Sequence, residues 1–154
     1  MIYGSYTFMR KMNDKGVTLI ELVVVFVIIA IMALLMVPGI GRWLPRYRLR
    51  SATRDIVSTM RTAQMKAISN NVICQVVFTP AGPGLGTYVM QANGVDEGGT
   101  KTVPPGVTFV TNFPGNIAVF NTNSTATGGT VTVSIPTGTR TITVLPSTGR
   151  ITAP

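Results

Sequence analysis

Glu21 is the carboxylate with the strongest chemical implication in this sequence, because it stands at the edge of an apolar stretch. From Leu22 to Gly41 the chain has twenty consecutive residues without a charge. A carboxylate at the centre of a membrane helix costs roughly 2.5–3.5 kcal/mol, and less near the interface. A buried charge is tolerated when an opposite charge pairs with it. The position predicts that Glu21 pairs with a cation; the alternative is an interfacial acid that reaches water.

The remaining side chains offer no recognisable set of groups for catalysis. The sequence has no histidine and one cysteine, Cys74, which excludes a cysteine–histidine nucleophile and an intramolecular disulfide. We expect Cys74 to be buried apolar filler in a strand. After Val72 the only carboxylates are Asp96 and Glu97, which we expect in a solvated loop with too few oxygen ligands for calcium. The sequence therefore predicts no enzymatic activity, no metal site and no cofactor.

The apolar stretch itself is long enough to cross a bilayer, which needs about 20 residues in a helix. A buried core helix is one alternative, but a helix that is apolar on every side is rare in a domain of this size. A cleaved secretory signal is another. Its small-residue cleavage site would follow the apolar region, whereas Ala30 and Ala33 lie inside it. We predict a retained membrane helix.

Helical periodicity continues beyond this stretch. Apolar residues follow one another at steps of three or four, which is typical of a helix with one buried face: Leu49, Ala52, Ile56, Met60, Ala63 and Ala67. We predict a helix from about Thr18 to Ser69 that ends at Asn70-Asn71. Pro38 and Pro45 predict a break or bend near 38–45, because proline lacks an N–H and crowds the preceding turn.

The composition then changes to valine, threonine, glycine and proline, which predicts a β-rich region. The predicted strands are 72–79, 87–92, 107–112, 117–121, 130–136 and 139–145. The last two alternate apolar and polar residues on either side of a short turn, which is typical of a hairpin with one buried face. The fold class is α+β, with a long N-terminal helix packed on a small antiparallel sheet.

The segment Lys15-Gly16-Val17-Thr18-Leu19-Ile20-Glu21-Leu22, preceded by basic residues, resembles the processing signal of type IV prepilins. The resemblance implies cleavage after Gly16 by a prepilin peptidase, N-methylation of Val17, and an assembly half of the helix that contains Glu21 and Pro38. Glu21 is then fifth in the mature chain. In that family, this glutamate meets the N-terminal ammonium of a neighbouring subunit.

The segments 51–71, 128–130 and 149–151 resemble the minor pseudopilins of the GspH/FimT group. The resemblance implies a pilin-like fold in four regions: leader 1–16, transmembrane and assembly half of the helix 17–41, amphipathic half 42–71, and β-rich head 72–154. It implies other pilin or pseudopilin subunits as partners, through their N-terminal helices. It also places the chain in the bacterial inner membrane as a single-pass protein with a periplasmic head, and later in a pilus or pseudopilus.

Arginines repeat along the amphipathic half of the helix. Arg46, Arg50, Arg54 and Arg61 share a face about 120° from the apolar stripe. They predict either a solvated helix face or a basic surface for acidic lipids or nucleic acid phosphates. Together with Arg42 and Arg48, they also make the positive-inside rule favour a cytoplasmic head. We follow the pilin resemblance and predict a periplasmic one.

Two other functions stay open. FimT-type minor pilins are associated with DNA uptake through basic residues near the C-terminus, and the matching residues are Arg140 and Arg150. Thr152 stands where a second tail arginine is expected, so DNA is the alternative partner and a structural subunit the favoured function. A single-pass anchored domain that never polymerises would need neither Glu21 nor the leader. The sequence does not choose between a type II secretion pseudopilus and a type IV pilus.

Overall fold

The computed structural model describes residues 17–153, except for the side chains at 35–42. The chain forms two compact units, Met1–Pro38 and Gly39–Pro154. The helix α1, Leu19–Ser69, contributes to both. It was predicted to start near Thr18 and to end at Ser69, and both ends are confirmed within one residue.

In the first unit, Thr18 caps the start of α1. The Glu21 amide donates to Thr18 Oγ1 at 3.3 Å, and the Leu22 amide donates to the Thr18 carbonyl at 3.2 Å. The apolar side chains between Leu19 and Leu34 are largely exposed. The predicted membrane segment, 22–41, extends into positions 35–42, whose side chains lie outside the described residues. Within the described residues, no helix meets the length and apolarity that a membrane crossing needs.

The prolines of α1 do not interrupt its helical assignment. The helical assignment runs through Pro38 and Pro45, so the break predicted near 38–45 is wrong, while the bend predicted as its alternative stays a prediction. A helical proline leaves one carbonyl of the preceding turn without its amide partner. The cost of that lost hydrogen bond is small beside the many intact bonds of a 51-residue helix.

In the second unit, the predicted apolar stripe is buried. All six positions are at most 6% exposed, and they alternate large Ile56 and Met60 with three alanines. The helix then ends in a left-handed cap. Asn71 has φ 51°, and the Val72 amide donates to the Ala67 carbonyl at 3.3 Å, as in a Schellman motif.

Eight strands follow α1 and form two antiparallel sheets. The first sheet has the order β3-β2-β1-β5, and the second has the order β4-β6-β7-β8. The strands are β1 (Cys74–Thr79), β2 (Thr87–Ala92), β3 (Val95–Thr102), β4 (Thr108–Thr111), β5 (Ile117–Phe120), β6 (Gly129–Ile135), β7 (Gly138–Val144) and β8 (Ile151–Thr152). A 3-10 turn, Pro114–Asn116, precedes β5. The α+β class and the antiparallel pairing are as predicted.

Strand β3 was not predicted, and it corrects the loop expected around Asp96 and Glu97. Its sequence has no apolar alternation, because β3 is an edge strand with almost all residues exposed. Its ladder with β2 shifts register between Tyr88 and Met90. Gly98 and Gly99, with φ near 77° and 74°, supply the left-handed backbone that this irregularity needs.

Both sheets contribute to one buried cluster that includes the α1 stripe. Three phenylalanines lie at its centre: Phe78 contacts Phe109 edge to face at 5.8 Å and stacks on Phe113 at 6.2 Å. Cys74 is fully buried, as predicted, and burial raises the pKa of its thiol. Polar contacts at the margin join α1 to both sheets, including Lys101 to Thr59 and Gln64 to the Thr148 carbonyl.

We expect a fragment spanning 44–154 to be soluble and folded, because it retains the whole buried stripe. In it, Ile56→Ala or Met60→Ala should lower the free energy of unfolding by about 2–5 kcal/mol, since each removes a side chain that is 0% exposed. Urea melts measure the difference. Met65→Ala is the control, because Met65 is 64% exposed and its loss should cost less than about 0.5 kcal/mol. Equally small losses at both core positions would contradict the packing of helix on sheet.

Candidate functional site

The start of α1 carries the residues predicted to act in processing and assembly. Val17 is 72% exposed, and Glu21 is exposed in the first helical turn. Gly16 lies outside the described residues, and so does the side chain of Pro38. A carboxylate in the first turn is favoured by the helix dipole and, when exposed, is accessible to a cationic group from another molecule.

The role of Thr18 was missed in the sequence. Its hydroxyl accepts the Glu21 amide, which places Thr18 at the N-cap and Glu21 at the third helical position. Threonine followed three residues later by glutamate is the capping-box pattern, so this signal was present in the residues. A glutamate at this position of the pattern can also accept a hydrogen bond from the amide of the cap residue, so a capping role has to be separated experimentally from pairing with another chain.

The apolar side chains that follow Glu21 form an exposed surface. Large side chains from Leu19 to Leu34 are between 45% and 81% exposed. A contiguous apolar surface of this kind marks contact with protein or lipid. The first unit therefore combines an accessible carboxylate with an apolar helix surface that needs a partner.

The second unit contains a groove lined by cations. Two adjoining cavities of about 630 and 310 Å³ share Arg50 and Arg140 as lining residues. We call this surface the basic groove and define it by Arg46, Arg50, Arg54, Arg61 and Arg140. Among residues 17–153, no carboxylate side chain lines either cavity. The helix arginines that were predicted to share one face thus meet an arginine of the second sheet.

Arg140 reaches the groove because of strand parity. Arg140 lies on the same face of β7 as the buried residues Ile142 and Val144. Thr139, Thr141 and Thr143 lie on the other face. The face with Ile142 and Val144 is the one that enters the core with the α1 stripe. The alternation of residues in the sequence predicts which face of the strand carries Arg140. It does not predict that Arg140 lies close to the helix arginines.

Arg150 does not join the basic groove. It precedes β8, and its carbonyl accepts the Leu145 amide at 3.0 Å. Leu145 lies five positions after Arg140, which is roughly 17 Å in extended chain. Thr152, where a tail arginine was expected, donates to the Thr143 carbonyl at 3.5 Å. The two predicted nucleic-acid contacts, Arg140 and Arg150, therefore lie at different places on the head.

The margin between α1 and the first sheet is polar. Lys66 forms an ion pair with Glu97, and Gln91 donates to Asp96 at 2.7 Å. These contacts correct the expectation that both acids are simply solvated. Tyr88 is 4% exposed, and burial, with a contribution from the Asp55 charge, raises its pKa to about 12.

These polar contacts do not assemble a metal centre. Among residues 17–153, no group of three or more histidine, cysteine, aspartate or glutamate side chains is placed to hold a metal ion. The acids of the head are instead distributed as single partners of Lys66, Gln91 and Ser51. Their contacts serve the packing of β3 and α1.

Comparison with protein families gives two matches. A family described as "Prokaryotic N-terminal methylation motif" matches residues 11–37. A family described as "Type II transport protein GspH" matches residues 52–148, which is more than half of the chain. Comparison with curated proteins gives no match, and comparison with solved structures gives none either. The first match covers the helix start. The second covers the stripe from Ala52 onward and both sheets except β8.

Proposed function

This chain belongs to the GspH family of type II transport proteins, and from that membership we propose that it is a minor subunit of a type II secretion pseudopilus or a type IV pilus. The family consists of structural, type IV pilin-like pseudopilins rather than enzymes. Its members assemble with other pilin subunits after processing by a prepilin peptidase. The observation that carries the proposal is the exposed Glu21 at the start of an apolar helix, within the matched methylation motif.

In this proposal the peptidase cuts after Gly16 and Val17 becomes the methylated N-terminus. The apolar part of α1 then holds the chain in the inner membrane as a single pass with the head in the periplasm, until the subunit enters the fibre. The exposed apolar side chains between Leu19 and Leu34 support this, because lipid and neighbouring helices can both cover them.

Glu21 selects the register of assembly. In the fibre, its carboxylate would meet the N-terminal ammonium of the next subunit, and each charge would be costly to bury without the other. A shift of one helical turn, about 5.4 Å, would leave both charges unpaired among apolar side chains. The charge pair therefore fixes the axial position of one helix relative to its neighbour. The apolar side chains provide most of the contact area between them.

We expect co-expression with a prepilin peptidase to remove the sixteen residues Met1 to Gly16. Intact-mass measurement on the membrane fraction would identify Val17 as the new first residue. Gly16→Val should block processing, since a branched side chain obstructs the scissile bond, whereas Val17→Phe should be processed normally. An unprocessed wild-type chain, or one cut after residue 41, would be incompatible with a pilin-like subunit.

We expect Glu21→Ala to enter the membrane normally but to be depleted from sheared fibres. The substitution removes a charge from an apolar segment, which favours insertion, and deletes the partner of a neighbour's amine. Glu21→Gln separates this role from helix capping, because glutamine also serves at the third position of a capping box. Immunoblots of membrane and fibre fractions measure both steps. Wild-type incorporation of either variant would show that no counter-charge is needed.

A DNA-binding minor pilin for natural transformation is the second candidate function. The basic groove supports it, since arginines on one surface attract phosphates. Two facts weigh against a dedicated tail receptor: Arg140 and Arg150 lie apart, and Thr152 replaces the expected arginine. The head would then bind DNA only through its general positive charge.

We expect the 44–154 fragment to bind DNA weakly at 20 mM salt and to lose this binding near 150 mM, because displaced counterions dominate such contacts. What remains should be more sensitive to Arg50→Ala plus Arg54→Ala than to Arg140→Ala plus Arg150→Ala. Fluorescence anisotropy with a labelled oligonucleotide measures both. Micromolar binding at 150 mM salt that depends on the Arg140 and Arg150 pair would establish the DNA receptor instead.

A further inference from the structure

We propose that Trp43, Arg46, Tyr47 and Arg50 of α1 form a surface, the interfacial face, that binds the headgroups of anionic phospholipids. The inference rests on the proposed function in one respect, because it takes the apolar part of α1 to reside in a membrane. Three features of the second unit carry it: an exposed aromatic stack, two arginines without a counter-charge, and the closeness of both to the end of the uncharged stretch.

The four side chains are neighbours on the exposed side of α1. Positions three or four apart lie next to each other on a helix surface, and 43, 46, 47 and 50 follow at such steps. All four residues are exposed, whereas Leu49, on another side of the helix, is buried. Trp43 contacts Tyr47 directly, and Arg46 and Arg50 line the same cavity. The helix thus presents two aromatic rings and two cations together.

The aromatic pair has the chemistry of a membrane–water boundary. The rings of Trp43 and Tyr47 are stacked, with centroids 5.2 Å apart and planes inclined by 23°. The two residues are nevertheless 64% and 54% exposed. Tryptophan and tyrosine are enriched at the headgroup level of membranes, because each ring has an apolar body and a polar tip. An exposed stack of these two residues therefore fits the boundary between acyl chains and water.

The two arginines are available to bind anions. Within the described residues, neither Arg46 nor Arg50 has an ion-pair partner. The sequence has no acid between Glu21 and Asp55, and Asp55 accepts a hydrogen bond from Ser51. A guanidinium group binds a phosphate through both opposite charge and paired hydrogen bonds. Headgroup phosphates therefore supply the counter-charge that this part of α1 lacks.

Position along the helix favours a lipid over a nucleic acid. Gly41 ends the uncharged stretch, and Trp43 and Arg50 follow it by a rise of about 3 and 14 Å. The headgroup layer on each side of a bilayer is about 5–8 Å thick, and helical side chains lean back toward the N-terminus, so both residues reach this layer. A nucleic acid would have to enter a layer of phosphates that repels its own charge.

The interfacial face also gives a role to arginines that the positive-inside rule does not explain. That rule favours cations on the cytoplasmic side, whereas the proposed orientation places these arginines on the periplasmic side. Because anionic phospholipids provide phosphates at the membrane surface, cations gain a counter-charge there. The interfacial face then holds this part of α1 at the membrane surface before the subunit enters the fibre.

The test uses the fluorescence of Trp43, the only tryptophan of the chain. The full chain is reconstituted in vesicles of phosphatidylcholine and phosphatidylglycerol, with one or the other brominated in its acyl chains, because bromine quenches a nearby tryptophan. We expect phosphatidylglycerol to be favoured beside Trp43 at least roughly threefold at low salt. The preference should fall near 1 M salt, which screens the attraction. Equal quenching by the two lipids at low salt would overturn the proposal.

Matched double variants locate the site, and they change exposed residues only. Arg46→Gln plus Arg50→Gln should reduce the preference to less than about 1.5-fold, because both cations are lost from the membrane surface. Arg61→Gln plus Arg150→Gln removes the same charge elsewhere, and Arg61 lies about 17 Å beyond Arg50 along α1. This control should stay within about 1.5-fold of the wild type. An equal loss in both variants would show attraction by net charge alone and rule out the interfacial face.

Two further measurements separate this inference from the other readings. A chain that does not float with neutral vesicles contradicts the proposed function and this inference with it. A chain that floats but shows no lipid preference at Trp43 contradicts this inference alone. An oligonucleotide added to the vesicles near 150 mM salt should leave the Trp43 emission unchanged, since such binding fades with salt. A shift of that emission would assign the surface to nucleic acid, by stacking on the exposed rings, and not to lipid.

Discussion

The rest of the head depends on the burial of one narrow stripe of α1. Between Leu49 and Ala67 this stripe has six apolar positions, and both sheets enter the cluster that covers it. Alanines at 52, 63 and 67 allow close approach, while Ile56 and Met60 fill the space between them. Because one face of the helix is buried in this way, the arginines at four-residue steps are held on another face. The position of the basic groove is thus a consequence of core packing.

Much of this core was predictable because a buried helix or strand face makes apolar residues recur at regular intervals in the sequence. The stripe and the β6–β7 hairpin have such a period, and both lie where predicted to within one residue. The end of α1 at Ser69 was predicted instead from the two asparagines that follow it. Strands β3 and β8 were missed, since edge strands are held by backbone pairing and need no apolar alternation. Of the break or bend predicted near Pro38 and Pro45, the break does not occur in the helical assignment, because each proline removes only one backbone hydrogen bond among many.

The individual residues of the candidate sites could be predicted from the sequence. Which of them lie close together in the fold could not. Glu21 stood out because a charge beside an apolar stretch is costly, although the cap from Thr18 was overlooked. Arg140 and Arg150 looked alike in sequence, as two basic residues of the tail. The fold separates them. Arg140 lies on the face of β7 that is directed toward the helix arginines, while Arg150 lies beyond Leu145. Such a difference depends on which sheet face packs near α1, and no local pattern encodes it.

The charge balance also bears on how many copies a fibre can hold. The chain carries a net charge of +8, of which Arg10, Lys11 and Lys15 against Asp14 contribute +2 within the proposed leader. Asp55, Asp96 and Glu97 already have polar partners. A fibre of identical copies would bring arginine faces close together with few carboxylates to offset them, and repulsion between like charges opposes such packing. A neighbour richer in acid would reduce this repulsion. The charge balance therefore supports the proposed role of a subunit that packs among different partners.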